Sequence, residues 1–402
     1  MRRSMWSLVV VVSAVLALVV TDIPSVYAAG SLIISEFRLR GPNGAQDEFI
    51  EIYNDSSSPH TVASISGTGY AIAASDGVTR CTIPNGTVIP ARGHFLCVGA
   101  TYSLVVTGST FALDIPDNAG IALFNNNTGG ASFSVANRFD AVGSTSEANA
   151  TYKEGSGYPA LTPFDIDYAF VRDECGKAGA VNMLGACTIS TPKDTDNNAA
   201  DFFFVDTNGT SAGAGQRLGA PGVANSGSPI QRNSTISTLL LDATVVSSAV
   251  PNRVRDFTSD PANNSTFGTL AIRRRFVNNT GAPVTRLRFR IIDLDTFPAA
   301  SGFADLRPRT TVGSVVVSGI NDAATCLATG TPTTPPCSVT FDGTALDQPP
   351  PQPNGGGFNS TMSAPIPLGS PLANGASIDV QFLLGIQQTG SFRIYLNIEV
   401  LP

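Results

Sequence analysis

Apolar residues along this chain fall into short runs that turn-forming residues interrupt, a pattern typical of β-strands rather than helices. Beyond the N-terminal apolar run, no segment shows a helical period over three turns. We therefore predict an all-β fold with two β-sandwich domains in tandem. The predicted strands are 32–37, 49–53, 70–73, 95–98 and 120–124 in the first half, and 239–246, 270–277, 286–292, 312–317, 338–341, 377–384 and 392–401 in the second.

The N-terminus has the pattern of a secretory signal peptide over residues 1–29. Arg2 and Arg3 precede an apolar run at 8–20, and Ala28 ends a cleavage-site pattern of small residues. The run is shorter than the roughly 20 residues that a membrane-spanning helix needs. We expect an exported protein, secreted, periplasmic or held at the cell surface, with no transmembrane segment in the mature chain.

A polar segment with Pro and Gly, residues 223–237, predicts a linker between a first domain at 30–222 and a second at 238–402. Charge differs across this boundary. Residues 30–235 contain 11 Lys and Arg against 19 Asp and Glu, whereas residues 236–402 contain 11 Arg against 11 Asp and Glu. Neither half has the basic excess of an obvious nucleic-acid binder.

Six cysteines suit an oxidising compartment, where disulfides form and persist. They occur as three pairs, each close in sequence, which favours three local disulfides over the other connectivities that six cysteines allow. A zinc site is the alternative, but the chain has no C-x-x-C motif and no histidine at ligand spacing. The predicted pairs are Cys81 with Cys97, Cys175 with Cys187, and Cys326 with Cys337.

The segment LIISEFRLRGPNGAQDEFIEIYND at 32–55 places two β-rich runs around a Gly-Pro-Asn-Gly turn. Together with IPNGTVIPARGHFLCVG at 83–99 and DNAGIALFNN at 117–126, it resembles the lamin tail domain of secreted bacterial proteins. The resemblance implies an immunoglobulin-like sandwich used for binding or tethering, with an elaboration at about 144–193. The second half resembles a C-terminal module that accompanies such domains and has no assigned activity.

Residues suited to catalysis are few. Glu36, Glu48 and Glu51 form the best carboxylate cluster, but period-two alternation sends Glu48 and Glu51 to opposite faces of one strand. A glycosidase needs its two carboxyl groups across one cleft. The histidines, His60 and His94, have no neighbours in sequence that would make either a base, and His94 is expected at a turn or solvent edge. We predict a protein without catalytic residues.

The stretch DTDNNAAD at 194–201 offers hard oxygen ligands of the kind that Ca²⁺ prefers. It lacks the central glycine and distal glutamate of an EF-hand loop. The same residues could instead form Asx turns before the following strand. No other cofactor is expected. The candidate calcium ligands are Asp194, Asp196, Asn198 and Asp201.

Two predicted strands of the second half are rich in arginine, RRRFV at 273–277 and RLRFR at 286–290, and the segment NNTGAPVT would join them as a hairpin. Like charges facing each other destabilise a sheet, so an arginine-bearing face needs counter-charges. These could come from the acidic first domain or from an external polyanion. The five candidate binding residues are Arg273, Arg275, Arg286, Arg288 and Arg290.

The sequence thus predicts an exported, non-catalytic binding or scaffolding protein whose partner is another protein or an extracellular polymer. Two alternatives remain. One is a module that binds extracellular DNA or polysaccharide through the arginine hairpin, with nucleic acid possible but not favoured. The other is a metal-dependent hydrolase, or an accessory to one, that uses the carboxylates.

Overall fold

The structure is a computed structural model, and it confirms the all-β prediction. No helix in the part of the chain it describes is long and apolar enough to cross a membrane. The predicted signal peptide and the Cys175–Cys187 pair lie outside the described residues. The structure describes residues 32–172, 181–182, 185–186, 192–210, 217–228, 235–295, 304–311, 313–348, 356–364, 366 and 370–401.

The first half contains fifteen short strands and one α-helical turn among the described residues. In chain order they are β1 (Leu32–Arg38), β2 (Phe49–Asn54), β3 (His60–Thr61), β4 (Gly69–Ala74), β5 (Thr79–Pro84), β6 (Val88–Ile89), β7 (His94–Val98), β8 (Ser109–Thr110), β9 (Ile121–Phe124), β10 (Arg138–Val142), β11 (Tyr168–Arg172), β12 (Val181–Asn182), β13 (Gly185–Ala186), α1 (Asn198–Asp201), β14 (Phe202–Asp206) and β15 (Arg217–Leu218).

Two of the first-half sheets enclose an apolar core. One has seven strands in the order β15-β14-β11-β1-β2-β7-β8, and the other has four in the order β10-β9-β4-β5. Alternate residues of β2 and β4, such as Ile50, Ile52 and Ile72, point into one buried cluster between them. The Cys81–Cys97 disulfide joins β5 of the four-stranded sheet to β7 of the seven-stranded sheet. The predicted bridge is therefore present, and it connects two sheets.

The second half contains eleven strands and one short α-helix in its described parts. In chain order they are β16 (Ile236–Leu240), β17 (Arg253–Asp256), β18 (Thr269–Asn278), β19 (Arg286–Leu294), β20 (Asp305–Arg309), β21 (Ser314–Ile320), α2 (Ala323–Thr329), β22 (Cys337–Gly343), β23 (Ala345–Gln348), β24 (Thr361–Ala364), β25 (Ser377–Gln388) and β26 (Ile394–Leu401).

Two sheets again face each other across a core. The larger runs β16-β18-β25-β22-β21, with β17 also paired to β18 and β20 to β25, and the smaller runs β23-β24-β19-β26. Phe276, Phe289 and Phe382 meet in the cluster between them, with Phe289 centred 4.9 Å from Phe382. The predicted Cys326–Cys337 disulfide is present and ties α2 to β22.

Three sequence predictions differ from the observed topology. Strand β11 lies within the supposed elaboration at 144–193, yet it is an inner strand of the seven-stranded sheet, between β14 and β1. The dipeptide Asn85-Gly86 predicts a hairpin turn between two short strands. It forms a turn, but the flanking strands do not pair with each other, because β5 pairs with β4 and β6 with β3. The predicted linker at 223–237 begins with fully buried residues, Val223 and Ala224.

Candidate functional site

The predicted arginine hairpin is wrong. Strand β18 pairs with β16, β17 and β25 in the larger sheet, whereas β19 pairs with β24 and β26 in the smaller one. The loop between them crosses from one layer of the second half to the other. Arg273 and Arg275 therefore do not share a face with Arg286, Arg288 and Arg290. Period-two alternation correctly grouped the arginines within each strand but gave no information on which strands pair.

Arg288 and Arg290 are fully buried and share one carboxylate, that of Glu399 on β26. The Nε atoms of Arg288 and Arg290 lie 2.5 and 2.7 Å from the two oxygens of Glu399. Burial alone would raise the pKa of Glu399, but the two guanidinium groups hold it below its usual range. This arrangement is an internal ion pair network closed to solvent.

Arg290 also joins the two halves of the chain. Its Nη1 donates to the carbonyl of Gly222, at 2.6 Å, and to the side-chain oxygen of Asn359, at 2.9 Å. The amide nitrogen of Asn359 in turn donates to Glu36 of β1, at 3.1 Å. The backbone N–H of Gly222 donates to the same Glu36 oxygen, at 2.8 Å. Of the two partners considered for these arginines, an internal one is therefore present.

The other predicted arginines also have internal partners. Arg275 pairs with Asp379, with Nε and Oδ1 3.0 Å apart, and Arg286 pairs with Asp347. The Nε of Arg273 donates to Gln381 at 2.8 Å, and its guanidinium lies 5.5 Å from the centre of the Phe341 ring. The sequence could not identify these partners, because each is distant along the chain.

Glu48 and Glu51 point to opposite faces, as alternation predicts. Glu48 accepts a hydrogen bond from the backbone N–H of Ile115, at 2.8 Å, and burial raises its pKa to about 9. Glu51 accepts from Ser35 and from the backbone N–H of Ala224, at 2.6 and 2.7 Å. Both carboxyl groups are fully buried. They do not face each other across a cleft, as a glycosidase pair would.

His94 was expected at a turn or solvent edge, and this is wrong. It begins β7, is buried, and its Nδ1 lies 3.1 Å from Glu51. Its ring also packs against Tyr53, with centroids 5.2 Å apart. Contact between a histidine and a carboxylate is common in catalytic sites, but here both groups are closed to a substrate. His60 lies elsewhere, with Nε2 3.2 Å from the Tyr70 hydroxyl.

The four candidate calcium ligands have separate surroundings in the structure. The side-chain oxygen of Asn198 accepts from the backbone N–H groups of Gly143 and Glu154, at 2.9 and 3.0 Å. Asp201 accepts from the backbone N–H of Thr195 and of Asn197, at 3.0 and 3.2 Å. Asp196 is exposed and has a left-handed backbone, with φ of 55°. The side-chain oxygens of these residues therefore do not converge on a common Ca²⁺ ion.

Asp194, the fourth candidate, belongs to a cluster that the sequence did not reveal. Its carboxylate lies 2.6 Å from Nη1 of Arg172 on β11. Ligand oxygens of Asp140, Glu154 and Asp194 all lie within 4.8 Å of one another. The Nη2 of Arg172 lies 3.1 Å from Asp140 and 3.8 Å from Glu154. A buried guanidinium therefore already supplies the positive charge that this carboxylate cluster requires.

Accessible features are found in the second half. An open groove of about 680 Å³ lies along Arg286, Asp342 and Asp347. A second cavity, of about 600 Å³, lies beside β17. In addition, β21 ends the larger sheet and exposes Val316 to 64%. The sequence predicted this strand, but not that it lies at an edge.

Comparisons with protein-family models, with curated proteins and with solved structures found no match to this chain.

Proposed function

We propose that this chain is an exported, non-catalytic binding or scaffolding protein built from two β-sandwiches in tandem, the first resembling a lamin tail domain. The two disulfides suit an oxidising compartment outside the cytoplasm. The sheets formed by residues 32–218 and those formed by 236–401 share no strand, which supports two units. Glu36, Glu48 and Glu51, the carboxylates considered for hydrolysis, are buried, which argues against a hydrolase.

The observation that carries this proposal is the free edge of β21. The strand reads SVVVSGI, has no charged residue and no proline, and pairs only with β22 among the described residues. Edge strands usually carry charges, prolines or strong bulges that prevent another strand from pairing with them. Here the one irregularity comes near the end, between Ser318 and Ile320. The central valines are left as a template for strand addition by an extended, uncharged partner segment.

A lysine at the centre of this edge tests the proposal. We expect Val316→Lys to abolish retention of the protein partner, because strand addition would bury the new charge. The matched control is Val246→Lys, which replaces an equally exposed valine (68%) outside the edge strand. Partners are captured from the native culture medium and cell surface with the wild-type protein and both variants, and compared band by band. Equal retention by all three proteins would contradict a role for the β21 edge.

The non-catalytic part of the proposal is tested separately. Purified protein is assayed on nucleic acid, phosphoester and glycan substrates with and without EDTA. We expect no turnover under either condition. Turnover that EDTA abolishes would favour the metal-dependent hydrolase instead.

A further inference from the structure

The cavity beside β17 differs from the other sites in the sign of its charge and in its apolar lining. Strand β17 pairs with β18 at the edge of the larger sheet, and the turn between β25 and β26 closes the opposite wall. The volume of about 600 Å³ is in the range of small-molecule sites. The residues that the argument uses are Val250, Arg253, Arg255, Phe257, Leu270 and Phe392.

Two arginines line this cavity, and no carboxylate does. Among the described residues, the guanidinium of Arg253 makes no hydrogen bond or ion pair. Arg255 donates to the carbonyl of Thr269, at 3.1 Å, and lies 4.4 Å from the centre of the Phe257 ring. Asp256, next in sequence, is exposed and accepts from the backbone N–H of Thr258 at 2.8 Å. Asp256 attracts Arg255 electrostatically from outside the cavity. The described lining therefore holds positive charge and no carboxylate.

Most of the remaining lining is apolar. Leu270 is buried at the edge of the second-half core, and Val250 and Phe392 extend its surface outward. Phe257 is 79% exposed, which is unusual for a phenylalanine held beside an arginine. Ser248 and Thr389 are the polar uncharged side chains of the lining. Sugars and peptides offer many polar groups that such a wall would leave without partners.

We propose that this cavity binds a small amphiphilic carboxylate, with its charged group on Arg253 and its apolar body against Leu270, Phe257 and Phe392. Charge complementarity requires an anion, and the scarcity of polar side chains requires that the rest of the ligand be apolar. A long acidic polymer would place charge along its whole length and would leave the concave apolar wall uncovered. This proposal is independent of strand addition at β21, because β17 and β21 lie at different edges.

Calorimetric titration of the full mature protein with decanoate tests the proposal. We expect saturable binding that weakens at least tenfold in Arg253→Gln and in Phe257→Ala. Decanol, which has the same chain length without the charge, should also bind at least tenfold more weakly. The control is Arg286→Gln, which removes an arginine from the other groove and should leave decanoate affinity unchanged.

Circular dichroism first establishes that each variant is folded, and both arginine substitutions concern side chains that are only partly buried. Equal decanoate affinity in the wild type, Arg253→Gln and Phe257→Ala would overturn the proposal, as would an absence of binding. Arg253-dependent binding of DNA or polygalacturonate without any binding of decanoate would also overturn it, in favour of a polymer site.

Discussion

The first half of the chain buries acids where it meets the second half, and the second half buries arginines there. Glu36 and Glu51 extend from β1 and β2, and Arg288 and Arg290 extend from β19. Each acid accepts one backbone N–H of the segment at 222–224 and a side-chain donor, Asn359 for Glu36 and Ser35 for Glu51. The two arginines bond to one shared acid, Glu399, and Glu36 and Glu51 also attract Arg290 electrostatically. Buried carboxylates can thus accept from donors of several kinds, whereas guanidinium groups, which only donate, need carboxylates or carbonyls.

Because the buried arginines share this one bonded acid, replacing Glu399 should lower the free energy of unfolding more than any of the other substitutions. We expect Glu399→Gln to destabilise folding by about 3–5 kcal/mol, because it leaves two fully buried guanidinium groups without their shared counter-ion. The measurement is urea unfolding followed by circular dichroism. The matched control is Asp347→Asn, which breaks the partly exposed pair with Arg286 and should cost about 0–1 kcal/mol. Equal losses of unfolding free energy in the two variants would show that the strength of these ion pairs does not depend on their burial.

The two disulfides allow a second comparison between the halves. Cys81–Cys97 joins two sheets and has a sequence separation of 16, whereas Cys326–Cys337 ties a short helix to the next strand with a separation of 11. Replacing either pair by alanine should cost about 2–4 kcal/mol, because the unfolded chain regains loop entropy. We expect the larger loss for Cys81–Cys97, whose loop is longer. Denaturant unfolding of both double variants measures it, and a larger loss for Cys326–Cys337 would contradict this ranking.

Much of the fold follows from the sequence, because strand formation depends on local alternation. All five strands predicted in the first half are present with small shifts in their ends, and six of the seven in the second half agree closely. Strands β10 and β11 were missed. Strand β11 is buried along its whole length, and its sequence YAFVR shows no regular alternation of polar and apolar residues. Cysteine proximity correctly predicted the two disulfides among the described residues.

The candidate sites were less predictable, since they depend on contacts between distant residues. Arg290 and Glu399 are 109 positions apart, and Arg172 and Asp140 are 32 apart. Alternation shows which side chains share a face, but it does not show whether that face is covered. The buried Arg288 and the half-buried Arg253 therefore look alike in sequence, although one is an internal ion-pair partner and the other lines a cavity.

The smallest expected effect on stability concerns its dependence on pH and Asp206, a buried acid that has no arginine partner among the described residues. Burial raises the pKa of Asp206 from 3.8 to about 6, although the backbone N–H of Gly209 donates to it at 2.7 Å. The folded state therefore binds this proton more tightly than the unfolded state does. The contribution of Asp206 to stability is greatest below pH 3.8 and falls as the pH rises to about 6. Asp206→Asn, which cannot ionise, should remove this decline.

Unfolding free energies of the wild type and Asp206→Asn, measured from about pH 3.5 to pH 7, provide the test. The stability of Asp206→Asn relative to the wild type should increase between pH 3.8 and about pH 6 and stay constant above that. Asp76→Asn is the control of opposite sign, because a hydrogen bond from Arg80 lowers the pKa of Asp76. Measured from about pH 2 upward, Asp76→Asn should lose stability relative to the wild type as the pH rises to 3.8 and keep a constant difference above it. If the stability differences of both variants from the wild type changed with pH in the same direction, the presence of an arginine partner would not be what distinguishes Asp76 from Asp206.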